Sequence, residues 1–511
     1  MKEVVSGEEL KSVMSEAVNL LCDTVSSTLG PTGNNILINN SDTTPFITND
    51  GVTIASNIES SDKRINTVLE IVKEASLKTN EVVGDGTTTT LVLLQSIFNQ
   101  GLEEIKKGKN KIALKNELLL QMQKVLDLLN KDKRKPTKED YLQVAYTSTN
   151  DLEISEVVTN TFLKMKSKYS IKLEESKKEN TYTIHKKGYN IDIKNLSSIY
   201  FTNKDIIELK DVKVLILKGY LDSLESIHEI INNSLINEEN IIIFVEAINE
   251  DIKNELLVYY LNKKNIFIVE LEEYASRRDK IEEDIKELSK SIIKNIDYEE
   301  VSNNDCGSIS SVIIKKDEVI LSSDKNTSNK LVNKLKKELD NSNSDYEKDF
   351  IYDRLSKLEE GITTIYVGGV TKTSKREKLM RYEDALCALE CAKDGISTGE
   401  GISYLKVSRQ LNDNSIGEQI IKIALEKPFD KILENLGIEK NNIKEEIIKA
   451  NYEKIYDYQK DILVNKNEIK IIDPTIVLIT AFKNALSIAA ILLSTSSLVI
   501  NEEEIKETND L

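Results

Sequence analysis

Three short apolar runs, at 212–217, 241–245 and 266–269, constrain the fold of this chain most. Stretches with apolar residues at helical spacing separate them. Short apolar strands alternating with helices make an α/β unit whose strands are buried and parallel. The texture on either side differs. Residues 8–28 and 63–82 carry apolar side chains at helical spacing, and that pattern returns from 401 to 500. Between the first two helices, 35–39 and 46–48 read as short strands joined by 40–45. A polar helical run at 330–358, a strand at 364–369 and a helix at 375–393 lead to the second helical region. The charge run Lys131-Asp132-Lys133-Arg134-Lys135-Pro136 reads as a solvated linker and a first boundary. At 511 residues the chain is too long for one core, so two to four domains are expected.

Composition excludes several function classes. A net charge of −17 does not favour nucleic acid, whose phosphates need basic patches. Heavy use of Lys, Asn and Ile fits a low-GC genome, such as a phage or reduced genome. Cys22, Cys306, Cys387 and Cys391 are too few to staple the chain and read as free thiols in a reducing compartment. His185 and His228 lie too far apart in sequence to suggest a histidine metal site or a Ser-His-Asp triad. The first residues lack an apolar signal region. The apolar stretch 475–500 is interrupted by Lys483 and Asn484, so it reads as a core helix rather than a membrane span. A cytoplasmic protein with no membrane or nucleic-acid partner is expected.

The chemistry concentrates in turns. Val83-Gly84-Asp85-Gly86-Thr87-Thr88-Thr89-Thr90 packs two glycines, a carboxylate and four hydroxyls ahead of a helical pattern. Glycines let backbone N–H groups approach a ligand, and a helix start suits phosphate. Asp85 is a ligand type for Mg²⁺. An ordinary helix cap explains the same residues. No Gly-Lys-Ser/Thr follows, so this is not a Walker A loop. Two further turns, Thr28-Leu29-Gly30-Pro31-Thr32-Gly33-Asn34-Asn35 and Asn49-Asp50-Gly51-Val52, admit both readings as well.

The order and separation of these three turns resemble the chaperonins, in detail the group I (GroEL-type) branch. Tyr382-Glu383-Asp384-Ala385-Leu386, the glycine-rich stretch from Gly395 to Gly401, and Ile472-Asp473-Pro474-Thr475 extend the resemblance over nearly the whole chain. It implies an α+β multidomain protein. An all-α equatorial domain (1–132 and 395–511) and a small α/β intermediate domain (133–187 and 363–394) would flank an inserted α/β apical domain (188–362).

The resemblance also implies site residues. Asp85 would hold Mg²⁺, and Asp50 and Asp384 would orient the attacking water. Thr28, Leu29, Gly30, Pro31, Gly86, Thr87, Thr88 and Thr89 would surround the phosphates of ATP. Gly399, Glu400, Asp457 and Asp473 would line the adenosine end. Backbone carbonyls of Thr28 and Asn49 would suit K⁺. Thr32 and Asn49 stand where relatives usually carry lysine, and Glu400 interrupts an all-glycine stretch. Tyr200, Phe201, Leu224, Ile227, Ile231, Leu257 and Val258 match the family's client-binding helices by position, and equally read as core. The partners implied are a homo-oligomer, commonly a heptameric ring, single or double, and unfolded protein clients. A co-chaperonin lid is in doubt, because Glu272-Glu273-Tyr274-Ala275-Ser276 replaces the family's Pro-Gly-Phe-Gly run. The expected function is ATP-dependent assistance to folding, an ATPase activity. The alternatives are a non-cycling scaffold of the same fold and an unrelated monomeric nucleotide enzyme such as a kinase.

Overall fold

A computed structural model of the chain describes residues 2–501 apart from 40–44, 203, 205, 343, 360, 439, 467, 469 and 470. The expected connection at 40–45 therefore lies largely outside the described residues. The chain forms two compact units, Met1–Leu163 with Arg376–Leu511, and Lys164–Lys375.

The first unit is helical. Gly7–Ser26, Lys63–Val83, Thr87–Lys106, Lys111–Asp132, Ile416–Asn435 and Thr475–Ser494 share one core. Local caps fix where these helices begin. Asn110 accepts from the N–H groups of Ile112 and Ala113, and Ser415 from that of Glu418. Leu21, Val72, Leu94, Phe98, Leu118, Phe482 and Leu486 are fully buried. Each large apolar side chain removed from water contributes about 1.5–3 kcal/mol. Helix Thr475–Ser494 is long and apolar enough to cross a membrane, but most of it is buried inside this unit.

Part of this unit departs from the helical expectation. Lys2–Ser6 pairs antiparallel with Ser497–Asn501, so the two ends of the chain form one ribbon. Lys454–Asp457 and Ile462–Asn465 form a hairpin inside the region read as helical. The charge run at 131–136 is not a free linker. Arg134 and Ile396 exchange backbone hydrogen bonds of 2.9 and 2.8 Å, and Arg134 forks onto buried Asp140. The expected hairpin is present, with Ile36–Ile38 antiparallel to Phe46–Thr48.

The second unit holds a mixed sheet. The sheet order is Tyr189–Asp192, Glu318–Ser322, Gly307–Ile314, Ile207–Leu221, Asn240–Ile248 and Ile266–Glu270, with Ile293–Asn295 added to Ile207–Leu221. The apolar runs 212–217, 241–245 and 266–269 lie in neighbouring parallel strands. Core clusters contain the alternate residues of these strands: Val214, Ile216 and Ile242 in one, Leu215, Ile241 and Ile243 in the other. A smaller sheet places Ile362–Val367 between Ile171–Glu175 and Tyr182–Lys186. The run at 330–358 is two helices, Lys325–Asn341 and Asp345–Glu359.

One buried ion pair stands out in this unit. Arg354 is 1% exposed and donates through Nε and Nη2 to both oxygens of Asp284, each at 2.7 Å. The Tyr189 hydroxyl donates to Asp284 Oδ2 at 2.5 Å. A buried charge is tolerated when its lone pairs are matched in this way.

Candidate functional site

Two loops of the helical unit touch at the start of helix Thr87–Lys106, the turn 84–86 that leads into it and the turn at Asp50 and Gly51. Helix Lys63–Val83 ends at Gly84, whose left-handed φ of +67° places its N–H on the Asn80 carbonyl. Asp85 follows and accepts from the Gly86 N–H at 2.5 Å. Gly86, also left-handed, caps the next helix with no side-chain hydrogen bond. The first N–H groups of that helix therefore lack a capping side chain. The fourth threonine does a different job. Thr90 is buried, donates to the Gly86 carbonyl or meets Thr79, and so fixes the turn from inside.

Asp50 caps the short helix Gly51–Asn57, accepting from Thr53 N–H at 2.8 Å and Thr53 Oγ1 at 2.5 Å. The capping role and a site role thus coincide in one exposed carboxylate. A Cβ on Gly51 would lie 2.5 Å from Thr88 Oγ1 and 2.8 Å from Thr87 Oγ1, so only glycine lets these loops touch.

A third loop, 27–34, is tied down from far along the chain. Asn435 Nδ2 donates to the carbonyls of Ser26 at 3.0 Å and Leu29 at 2.8 Å. Thr32 Oγ1 donates to the Asn435 carbonyl at 3.4 Å. Gly30 and Gly33 close a turn at 3.0 Å, and Gly33 packs on the Thr28 carbonyl with no space for a side chain. Asn435 was not singled out by sequence. Its only local signal is an amide at a helix end before Gly437.

The acids around this point affect one another. Asp384 is exposed to solvent yet crowded by protein. That desolvation, then Asp85 and Asp50, pushes its carboxyl up to about 7. Asp85 is exposed in the same way and is also raised, by desolvation and then by Asp50, while the Gly86 N–H acts to lower it. Asp473 is pushed up to about 7 by burial and then Asp85. Burial, then Asp473 and Asp457, brings Glu400 to about 8. Solvent screens the charges of Asp384 and Asp85, both of which are exposed. Among the described residues, no three His, Cys, Asp or Glu side chains converge to hold a metal alone. A Mg²⁺ ion that keeps waters and uses one carboxylate plus substrate phosphates fits this donor set.

Gly399 abuts Asp473, since an added Cβ would lie 3.0 Å from Asp473 Oδ1. Glu400 takes a left-handed φ of +54°, uncommon for a residue with a side chain. The Asp457 carboxylate is committed to its own hairpin turn, accepting from Gln459 and Lys460 N–H and pairing with Lys460 Nζ at 3.2 Å. Asn49 lies in exposed backbone just before Asp50. Beside the paired strands Ile396–Thr398 and Ile472–Pro474 lies a cavity of about 190 Å³ lined by Ser397, Thr398, Lys406, Tyr452 and Ile472.

In the α/β unit, several expected client contacts are core. Ile227 is 0% exposed, Ile231 2% and Tyr200 6%. Ile227 and Ile231 face the sheet beneath helix His228–Ile236, while Tyr200 stacks edge-on with Tyr260 and packs on Phe267. Leu224, Phe201 and Leu257 are half-buried against the same cores. Val258 is exposed, and Leu261 and Ile236, which sequence did not single out, join it on the surface.

A helical unit with a glycine–carboxylate–threonine loop, and an α/β unit inserted within it, is the build of a chaperonin. The sequence model of the TCP-1/cpn60 chaperonin family matches residues 21–503. The chain belongs to that family, as a divergent member of the group I type. The chain is similar in fold to the chaperonin gp146 from the bacteriophage EL 2 (Pseudomonas aeruginosa), crystallised in the presence of ATP-BeFx. Crystal form I gives a TM-score of 0.74 at 19% identity, covering 98% of this chain and 99% of that one. Form II gives 0.67 at the same identity and coverage.

Proposed function

We propose that this chaperonin is an ATPase that binds non-native polypeptides within a homo-oligomeric ring and couples hydrolysis to their folding. The reading is supported by Asp85 and Asp50 both bearing on the carboxyl of Asp384, with Asp85 beside a helix start that has no capping side chain. Phosphoryl transfer to water needs positioning and charge neutralisation more than covalent help. The Thr87, Thr88 and Thr89 N–H groups and hydroxyls bind phosphate oxygens. Mg²⁺, held by Asp85, would neutralise phosphate charge. Asp50 and Asp384 hold the water in line, and the raised carboxyl of Asp384 suits a group that takes a proton near neutral pH. Loop 28–31 closes over the phosphates, with carbonyls of Thr28 and Asn49 available to K⁺. Gly399, Glu400 and Asp473 line the sugar end, and Asp457 lies near it.

The domain reading assigns 1–132 and 395–511 to an equatorial domain, 133–187 and 363–394 to an intermediate one, and 188–362 to an apical one. Exposed Leu37 and Ile47, paired across the hairpin on one face, offer apolar surface to a neighbouring subunit. Exposed Val258 and Leu261, at i and i+3 on helix Glu250–Leu261, and exposed Ile236 offer apolar groups to clients. The net charge of −17 suits a cytoplasmic protein and a polar cavity wall. The test pairs negative-stain microscopy, with and without ATP, with ATP turnover of the native chain and of Asp384→Ala. A ring whose turnover Asp384→Ala abolishes is expected. A particle of monomer size defeats the ring, and equal turnover in both proteins defeats the site.

A second reading, a non-cycling scaffold, is favoured by Glu400. Its carboxyl sits beside Asp473 in a site without a compensating lysine at Thr32 or Asn49. A ring that binds clients without ATP turnover would support it.

A further inference from the structure

The helix that carries Asp384, Lys372–Ala392, also carries Cys387 and Cys391. They follow Asp384 at i+3 and i+7, so the three side chains share one helix face. That face lies on the loop that precedes Asp85. The Cys391 Sγ–H donates to the Val83 carbonyl at 3.4 Å. A Cβ built on Gly84 would come within 2.6 Å of Cys387 Cβ and 2.9 Å of its Sγ. Gly84 is thus required twice, by its left-handed φ and by the sulfur that fills the space beside it. Two sulfurs seat the helix on the backbone of Val83 and Gly84, and Asp384 lies one turn from that seat.

We propose that Cys387 and Cys391 are positioning residues for hydrolysis. Their seat on Val83 and Gly84 sets where Asp384 stands over the phosphate loop. Cys387, half-exposed, is a modification site at which a thiol-directed reagent stops turnover without emptying the nucleotide site. The proposal rests on the ATPase reading above. An adduct on Cys387 adds atoms to a sulfur already in contact with Gly84, so the helix must lift. Asp384 moves with it, while the phosphate-binding N–H groups of helix Thr87–Lys106 stay.

Methyl methanethiosulfonate tests this on the folded protein. The Cys387 thiolate, its proton lost to water, attacks the sulfenyl sulfur. A Cys387 Sγ–SCH₃ bond forms, and methanesulfinate leaves. With Cys387 fully modified by mass spectrometry, kcat is expected to fall about 30-fold or more with nucleotide Kd within about threefold, the signature of a lost transition-state contact. Dithiothreitol restores turnover. Cys387→Ser, which lacks the larger sulfur, is expected to lose part of kcat with nucleotide Kd within about threefold and to show no further loss with the reagent. Full modification with turnover intact, equal sensitivity in Cys387→Ser, or a parallel loss of affinity would each overturn the proposal. An untreated chain that binds but does not hydrolyse ATP defeats the ATPase reading instead. The seat is then judged by hydrogen exchange at Gly84 and Gly86, which modification must accelerate. Unchanged exchange there rejects it.

Discussion

The acids of the candidate site and the buried acids elsewhere are treated in opposite ways, since even within the helical unit Asp140 is matched by Arg134 and Glu418 by Lys124. In the α/β unit each is matched by cations: Asp284 by Arg354, Glu318 by Lys315 and Lys172, Glu270 by Lys194 and Lys253. At the candidate site, among the described residues, Asp85 and Asp50 bear on Asp384, Asp85 on Asp473 and Asp473 on Glu400, with no ion pair from any of the five to Lys, Arg or His. Matched charge fixes a structure. Unmatched charge of one sign leaves a place for a cation the protein does not itself supply. The contrast separates scaffold from site without reference to any relative.

The largest expected effect breaks a matched group. Arg354→Met leaves Asp284 buried with only the Tyr189 hydroxyl, and removing one partner of a buried pair costs about 3–5 kcal/mol. Denaturant unfolding of the second unit should show that loss. A change under about 1 kcal/mol would mean the pair is dispensable and the contrast false.

The next tests the unmatched group by pH. Asp384 and Asp473, pushed up to about 7, and Glu400, to about 8, have folded pKa values above the usual carboxylate range. Their protonated forms stabilise the fold. That contribution is present below the ordinary carboxylate range and lost as pH rises through about 7 to 8. Glu270 runs the other way. Burial acts to raise it, but Lys194 and Lys253 hold it below its ordinary range, so its contribution is lost on acidification. Hydrogen exchange followed by unit should therefore show the helical unit loosening from pH 6 to 8.5 while the α/β unit holds. Mg²⁺ with nucleotide should restore more protection at pH 8.5 than at pH 6. Equal gains at both would remove electrostatic repulsion as the cause.

Glu400 sharpens the comparison by a smaller step. A left-handed non-glycine residue costs about 1–2 kcal/mol, and this one adds a carboxyl beside Asp473. Glu400→Gly should raise the midpoint of unfolding and tighten nucleotide binding about tenfold or less, read by titration with a fluorescent analogue. Weaker binding would make Glu400 a contact for the sugar rather than an obstruction.

How much of this was legible in sequence depended on how far each contact reaches. The Gly84-Asp85-Gly86-Thr87 turn is local, so its glycines and carboxylate could be read directly. Asn435 holds Leu29 from 406 residues away, and no local pattern reveals that. The ribbon of Lys2–Ser6 with Ser497–Asn501 was missed for the same reason. Asp384 was reached through the family pattern alone, because its neighbours Asp85 and Asp50 come from distant loops. The parallel strands were legible because burial on both faces leaves a continuous apolar run. The stripe Leu224, Ile227 and Ile231 was ambiguous by nature, since helical periodicity marks one apolar face and not whether sheet or solvent meets it.

That ambiguity sets the smallest effect. Ile231 is 2% exposed and Val258 57%, though both were assigned to the same surface by position. Ile231→Ala removes buried methyl groups and should destabilise by about 2–5 kcal/mol, an effect on folding that masks any on binding. Val258→Ser with Leu261→Ser touches side chains already in water, so stability should move by less than about 0.5 kcal/mol per site. If these residues hold clients, capture of a denatured test protein should fall while unfolding stays put. Unimpaired capture by the double variant would move the client surface elsewhere, leaving Ile236 at the end of helix His228–Ile236 as the next apolar group in reach of solvent. A loss of stability in that variant would instead show that Val258 and Leu261 are covered in the assembled protein, which makes them a subunit contact rather than a client one.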